Sequence, residues 1–430
     1  MKQSNIWAPL ETPDSSLTEI QKASGTRVFD VRGKEYLDMN SGLWNRPFGY
    51  GDEAIKEALK EQLDDVAYVN PCEFTTKAAE ELADKLLELL HPDMEKILYT
   101  CSGSESADLT VKLIRKYASL GGTPERNVIA VVKNSYHGSY YGSMSISNYC
   151  SEARNGYAPL LPEIVELSLP FSEVEKIDIE DAKNVLEKEL EACEKRLGGI
   201  ILEPVLGSAG VIPLPDWFVN RLLEFANEKG VIVAFDEVAT GFGRTGDVFR
   251  YEHFNAKPDI VTMSKALNNG ILPLGAVAVS KRIVDRFRKN EELIFHLSTQ
   301  NANALACRAG LEVVNRFSSD KSDLMKINAI SKKIRAALDE VLEKYSRVFC
   351  VRQCGMMFSM ELLDQENNQM SETDILKVVR LLKRNGILVE WSYLKDVSSC
   401  IVMMPMYIMS DEDIDKMKDG LDKTFARLFK

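Results

Sequence analysis

Two short apolar runs each end in one ionisable group. They are Val231-Ile-Val-Ala-Phe-Asp236 and Pro258-Asp-Ile-Val-Thr-Met-Ser264-Lys265. A run of strand length, rich in Val and Ile, reads as a buried strand of a parallel sheet. Asp236 and Lys265 then stand at the carboxyl ends of two strands, where open α/β sheets bind ligands. A carboxylate could anchor a cationic group there, and an amine could bond covalently to a carbonyl.

Other groups stand at further predicted strand ends. In Cys101-Ser102-Gly103-Ser104-Glu105, Ser102 and Glu105 have capping-box spacing ahead of Leu109, Val111, Leu113 and Ile114. The Gly103-Ser104 turn would offer backbone N–H groups at a helix N-terminus, an anion site suited to a phosphate. Read alone, an ordinary capped helix explains this motif better. Tyr136, in Asn134-Ser-Tyr-His137-Gly138, could stack on a planar ring, with His137 supporting it. A surface loop with a buried Tyr is the plain alternative. Glu203, in Leu202-Glu-Pro204, could pair with a cationic group or merely cap a helix. Val238 could cover the second ring face, and the Gly-rich loop through Gly246 permits close backbone approach. A lone strand-end Lys is usually solvated. Beside Asp236 and a phosphate loop that balance reverses. Pyridoxal phosphate takes a Lys for its Schiff base and an acidic partner for its pyridinium nitrogen.

Composition narrows the class. The 430 residues exceed one compact core and imply a large domain with a satellite. The net charge of -12 disfavours nucleic acid and anionic membrane surfaces as partners. The 8 Cys contain no CxxC pair and there are only 4 His, so no metal site is expected. The N-terminus lacks a secretory h-region, and no apolar stretch reaches the roughly 18 residues of a membrane span. A cytoplasmic protein with reduced thiols is the expectation.

Positioning these groups calls for alternating strands and helices. Strand-like runs lie at 96–100, 127–132, 199–202, 231–236, 259–264 and 275–279, with helical segments at 105–117, 179–197 and 216–229 among them. The pattern predicts a mainly parallel sheet covered on both faces, whose last two strands pair antiparallel. A hairpin is predicted over 27–40, helices over 52–64 and 75–90, and a smaller α+β domain after about residue 305. The divisions are an N-terminal segment, 1–55, joining the small domain; a large cofactor-binding domain, 56–305; and a small C-terminal domain, 306–430.

In this order the motifs resemble the class III (omega) aminotransferases, fold-type I pyridoxal-phosphate enzymes, over residues 25 to 425. Phe235-Asp-Glu-Val-Ala-Thr-Gly-Phe-Gly-Arg-Thr-Gly246 is the most specific part. The resemblance implies a large domain with a mainly parallel seven-stranded sheet plus a smaller α+β domain. It makes Lys265 the Schiff-base residue and Asp236 the partner of the pyridine nitrogen. Tyr136 and Val238 would sandwich the ring, Gly103 and Ser104 would hold the phosphate, and His137 and Glu203 would complete the cofactor pocket. Phe295-His-Leu-Ser-Thr299 resembles the segment by which a second subunit reaches the phosphate, so Thr299 and a homodimer with shared sites are implied. Ser41-Gly-Leu-Trp44 resembles the amine:pyruvate branch, where the Trp lines the substrate pocket.

Three departures bear on chemistry. Ala239 stands where many relatives carry Gln against the cofactor's phenolic oxygen. Asn301-Ala-Asn303-Ala304 replaces a common Gly-Gly-Asn-Pro. The carboxylate-binding Arg that relatives place before a Pro-Pro-Leu segment is missing, because no Arg lies between Arg384 and Arg427. Lys395 or Arg46 would have to replace its fork, imperfectly in the case of Lys. Alternatively, the substrate carries no carboxylate. Met403, Met404, Met406 and Met409 fit an apolar ketone, aldehyde or modified peptide, although packing is the commoner use of Met. The implied reaction is a ping-pong exchange between a small-molecule amine donor and a carbonyl acceptor. A racemase or epimerase would share these motifs. A degenerate non-catalytic protein would not be expected to retain both Lys265 and Asp236.

Overall fold

The structure, a computed structural model, describes residues 5–15, 17–149, 151–169, 178–318 and 322–429. Seven strands build the large sheet: β1 (Met94–Thr100), β2 (Val128–Val132), β3 (Ile164–Leu167), β4 (Leu197–Leu202), β5 (Ile232–Asp236), β6 (Ile260–Met263) and β7 (Gly275–Ser280). Their spatial order is β1-β7-β6-β5-β4-β2-β3. Only β7 runs against its neighbours β6 and β1. Every residue of β2, β4, β5, β6 and β7 is buried. That is why these strands read as continuous apolar runs rather than alternating ones. The predicted strands are all present. The one missed, β3, is a four-residue edge strand, Ile-Val-Glu-Leu, with Glu166 exposed.

Alternate residues feed two cores. Ile129, Val131, Ile201, Ile232, Ala234, Ile260 and Val277 pack with Leu109, Leu113 and Ile114 of helix α1 (Gly103–Leu120). Val128, Ala130, Val233, Phe235, Val261 and Ala276 face the other way, into a cluster that continues to the small-domain residues Phe358, Ile401 and Phe425.

After Ala304–Ser318 and Ser322–Lys344, both helical, the small domain forms an antiparallel sheet. Its strands are Val348–Cys354, Met357–Leu362, Ser398–Met403 and Glu390–Leu394, in that spatial order. The N-terminal hairpin pairs Arg27 with Leu37 and Val28 with Tyr36. Ile387–Leu388 then joins Glu35–Asp38 in parallel, which ties the N-terminal strands to the C-terminal part of the chain. Helices begin on side-chain caps where the sequence offers them: Asp52 accepts from Ile55 N–H, and Thr76 from Ala79 N–H. No helix among the described residues is long and apolar enough to cross a membrane.

Candidate active site

Asp236 ends β5, and the parallel register sets Thr262 of β6 beside it. Thr262 Oγ1 donates to Asp236 Oδ1 at 3.0 Å, and Val238 N–H donates to the same oxygen at 3.1 Å. Asp236 Oδ2 lies 2.7 Å from His137 Nδ1. His137 is buried; its backbone N–H donates to Ser147 Oγ at 2.8 Å, while its Nε2 has no partner among the described residues. Burial alone would lower an imidazole's pKa. The hydrogen bond and charge of Asp236, with the charge of Glu203, outweigh it and hold His137 above its usual range.

Lys265 opens a short 3-10 turn directly after β6 with φ of +39°, a left-handed conformation rare outside Gly. Leu267 N–H donates to Ser264 O at 2.8 Å, and Ser264 Oγ to Leu274 O at 2.7 Å. Such strain persists where the surroundings over-determine it. Burial pulls the Lys265 ammonium below its ordinary range. Asp236 and Glu203 act against that shift, and the positive Arg244 acts with it. Lys265 Nζ stands 4.8 Å from the Trp44 ring centroid.

Glu203 follows β4 and accepts the Tyr136 backbone N–H at 2.7 Å. Burial pushes its carboxyl up to about 7, against the pull of His137. The start of α1 presses on the same layer. A Cβ on Gly103 would lie 2.9 Å from Val238 Cγ1, and one on Gly138 would lie 2.7 Å from Ser104 Cα. Ser139 N–H donates to Ser104 Oγ at 3.1 Å. Glycine thus lets the segments at 102–105, 136–139 and 236–238 meet. Half of the capping box is displaced by one residue. Ser102 Oγ accepts Glu105 N–H at 3.2 Å, but Glu105 Oε2 accepts Cys101 N–H at 2.9 Å.

Trp44 sits on a loop shaped by Asp38, whose Oδ2 accepts Gly42 N–H and Tyr50 O–H, each at 2.7 Å. The indole packs on Val205, Val211, Cys354, Met357, Cys400, Val402 and Met404. Its buried Nε1 has no acceptor among the described residues. Arg46 donates to Gly270 O at 3.3 Å and lies 4.8 Å from the Tyr50 ring centroid. Lys395 is exposed and lines a cleft of about 400 Å³ with Lys133, Asn134, Ser168, Leu169, Leu394 and Val397. Thr299 is exposed, and its carbonyl accepts Tyr68 O–H at 2.9 Å. The structure therefore gathers Asp236, His137, Val238, Glu203, Tyr136, Gly103, Ser104, Lys265 and Trp44. Arg46, Lys395 and Thr299 make these contacts with other residues.

Two groups escaped the sequence reading. Thr262 was findable by aligning the ends of the two parallel runs. Arg244, fully buried, was not: it donates to Pro405 O at 2.6 Å and stands 4.9 Å from the Tyr407 ring centroid, contacts made only by folding.

The donor set fits pyridoxal phosphate: a buried amine biased towards its neutral form, a carboxylate held by three hydrogen-bond partners, and a glycine-bounded helix N-terminus. Together with the sheet, they define a fold-type I pyridoxal-phosphate enzyme. The family described as aminotransferase class-III matches residues 11–425, and the chain belongs to it. It is 28% identical to the adenosylmethionine-8-amino-7-oxononanoate aminotransferase of Helicobacter pylori, over 99% of this chain and 97% of that protein. A transaminase structure from the marine bacterium Virgibacillus superposes with a TM-score of 0.92 at 25% identity, covering 99% and 97% of the two chains. A thermostable (S)-enantioselective omega-transaminase from Thermomicrobium roseum gives 0.90 at 28% identity, covering 99% and 96%. The protein is thus a pyridoxal-phosphate-dependent transaminase acting on small amine and carbonyl compounds. The epimerase and non-catalytic alternatives find no support in these comparisons.

Proposed function

We propose that this enzyme moves an amino group from a primary amine without an α-carboxylate to a carbonyl acceptor, in two half-reactions at sites shared by two copies of the chain. The observation that carries the substrate class is the wall around Trp44. Val402 and Met404 lie in the stretch where carboxylate-binding relatives place an Arg, and both pack in the apolar cluster under the indole. With buried apolar residues in that stretch, a carboxylate entering beside the indole would lose its hydration without a guanidinium in return. An aliphatic or aromatic substituent would gain from contact with the part-exposed Trp44 ring.

Pyridoxal phosphate supplies the electron sink. Lys265, whose ammonium form burial disfavours, would take the proton from the substrate carbon and return it, as a general base then acid. Asp236 would hold the proton on the ring nitrogen, with His137, Thr262 and Val238 N–H fixing the carboxylate. Tyr136 and Val238 would cover the ring faces, Gly103 and Ser104 would hold the phosphate, and Thr299 would reach the neighbouring copy's phosphate. Glu203 fixes the Tyr136 backbone.

The test records absorbance between roughly 300 and 500 nm, the range of the bound cofactor, while single amines are added without acceptor. Conversion by 1-phenylethylamine-type donors, and little by alanine, supports the reading. Preference for amino acids with a free carboxylate would sink the substrate class while leaving transamination intact. Lys265→Ala must abolish both half-reactions.

A further inference from the structure

The segment after helix Lys281–Lys289 has two faces. Leu293, Phe295 and Leu297 are 69%, 88% and 63% exposed, and Thr299 is exposed after them. The alternate residues Ile294, His296 and Ser298 turn inward. The inward polar pair ends on one carboxylate. His296 Nε2 donates to Glu105 Oε1 at 3.0 Å, and Ser298 Oγ donates to the same oxygen at 2.9 Å. Glu105 is 6% exposed, and its second oxygen takes Cys101 N–H at 2.9 Å. Further ties run in parallel: Asn301 Nδ2 donates to Tyr99 O at 2.8 Å, and Lys112 Nζ donates to Phe295 O.

We infer that Glu105 is a positioning residue for two phosphate sites at once: its own chain's, through the turn at Gly103–Ser104, and the neighbouring copy's, through Thr299. The inference rests on the shared-site reading above. One oxygen braces the backbone just before the helix N-cap, and the other aligns the segment that ends in Thr299. This geometry also explains how the phosphate segment keeps its path without the Gly-Gly-Asn-Pro of relatives. Asn301, the first residue of the replacement, bonds the end of β1 and accepts Ser298 N–H at 3.1 Å. A displaced capping glutamate serves this purpose because its carboxylate is the only one that accepts from both segments among the hydrogen bonds described.

The test uses heterodimers purified by two tags. One copy carries Glu105→Ala with Lys265→Ala; the other is unchanged. The sole site with Lys265 then has an intact Gly103–Ser104 turn of its own and receives its Thr299 segment from the altered copy. Its affinity for pyridoxal phosphate, read by absorbance titration, should fall at least about tenfold against a heterodimer carrying Lys265→Ala alone, the loss expected for one charge-assisted hydrogen bond. Glu105→Gln, which keeps one acceptor oxygen, should restore part of it. If Glu105→Ala does not fold, the pair His296→Ala and Ser298→Ala in the same arrangement must give the loss. Unchanged affinity would overturn the inference. A wild-type holoenzyme that sediments as a monomer would overturn the shared-site reading, and this inference with it. A loss with Thr299→Ala but none with Glu105→Ala would overturn the inference alone.

Discussion

His137 and Asp236 meet across 2.7 Å at the base of the site, the imidazole arriving from the loop after β2 and the carboxylate from the end of β5. Nothing local connects them: the two positions are 99 apart in the chain. The contact holds one Asp236 oxygen while Thr262 and Val238 N–H hold the other. His137→Ala should therefore leave the fold intact and loosen the carboxylate. Losing one hydrogen bond to a charged group costs about 1.5–3 kcal/mol, or roughly tenfold to a hundredfold in rate. Single-turnover kinetics should place that loss in the chemical step. A raised KM with unchanged kcat would instead mean that His137 serves substrate binding.

Gly103 offers a packing test with a built-in rescue. A methyl group there would sit 2.9 Å from Val238 Cγ1, too close for either backbone to stay put. Gly103→Ala should weaken pyridoxal-phosphate affinity by about tenfold or more, a cost in the usual range for overpacking. Adding Val238→Ala makes room and should recover part of the affinity in the same titration. If the double variant binds no better than the single one, the defect lies outside this contact.

Glu237 couples stability to pH. It is fully buried; Tyr251 N–H donates to Oε1 at 2.8 Å and Thr240 to Oε2, yet burial dominates and pushes its carboxyl up to about 7. The folded state therefore binds a proton more tightly than the unfolded chain. This group's contribution is complete below its ordinary value of 4.5 and is lost as pH rises through about 7. At roughly 1.4 kcal/mol per unit, the effect is on the order of 3 kcal/mol. Glu237→Gln should flatten the denaturant midpoint between about pH 5 and 8. An equally steep loss in the variant would assign the pH dependence to other groups.

Arg352 anchors the small domain to the loop behind Trp44. Its Nη2 donates to Glu361 Oε2 and Ser398 Oγ, each at 2.9 Å, and its Nε to Gly210 O at 2.8 Å. Arg352→Met would strand the buried Glu361 carboxylate. Breaking one side of such a pair costs about 3–5 kcal/mol. Urea denaturation of the holoenzyme should show that loss, and Arg352→Met with Glu361→Gln should recover much of it. Should the single variant prove neutral, the ion pair contributes nothing to stability.

Much of this enzyme was present in linear order. The Val- and Ile-rich runs of β2, β4, β5 and β6 read as strands because burial on both faces removes polar residues, and their ends located Asp236, Lys265 and Glu203. Turn glycines and the 102/105 spacing placed the start of α1, because a helix N-terminus needs a cap within one turn. What the order of residues left open depends on distance across the fold. The short edge strand β3 lacked enough periodic residues to stand out. The target of the Glu105 carboxylate was a neighbouring turn and a segment nearly two hundred positions away, not its own N-cap. The apolar wall under Trp44 draws on three separate stretches, at 205–211, 354–357 and 400–404, and only packing could show that they meet. Local propensity and periodicity act over a few residues and survive in sequence. Side-chain pairing, burial and the resulting shifts in ionisation are set by which strands and loops become neighbours, and that was decided by the tertiary structure.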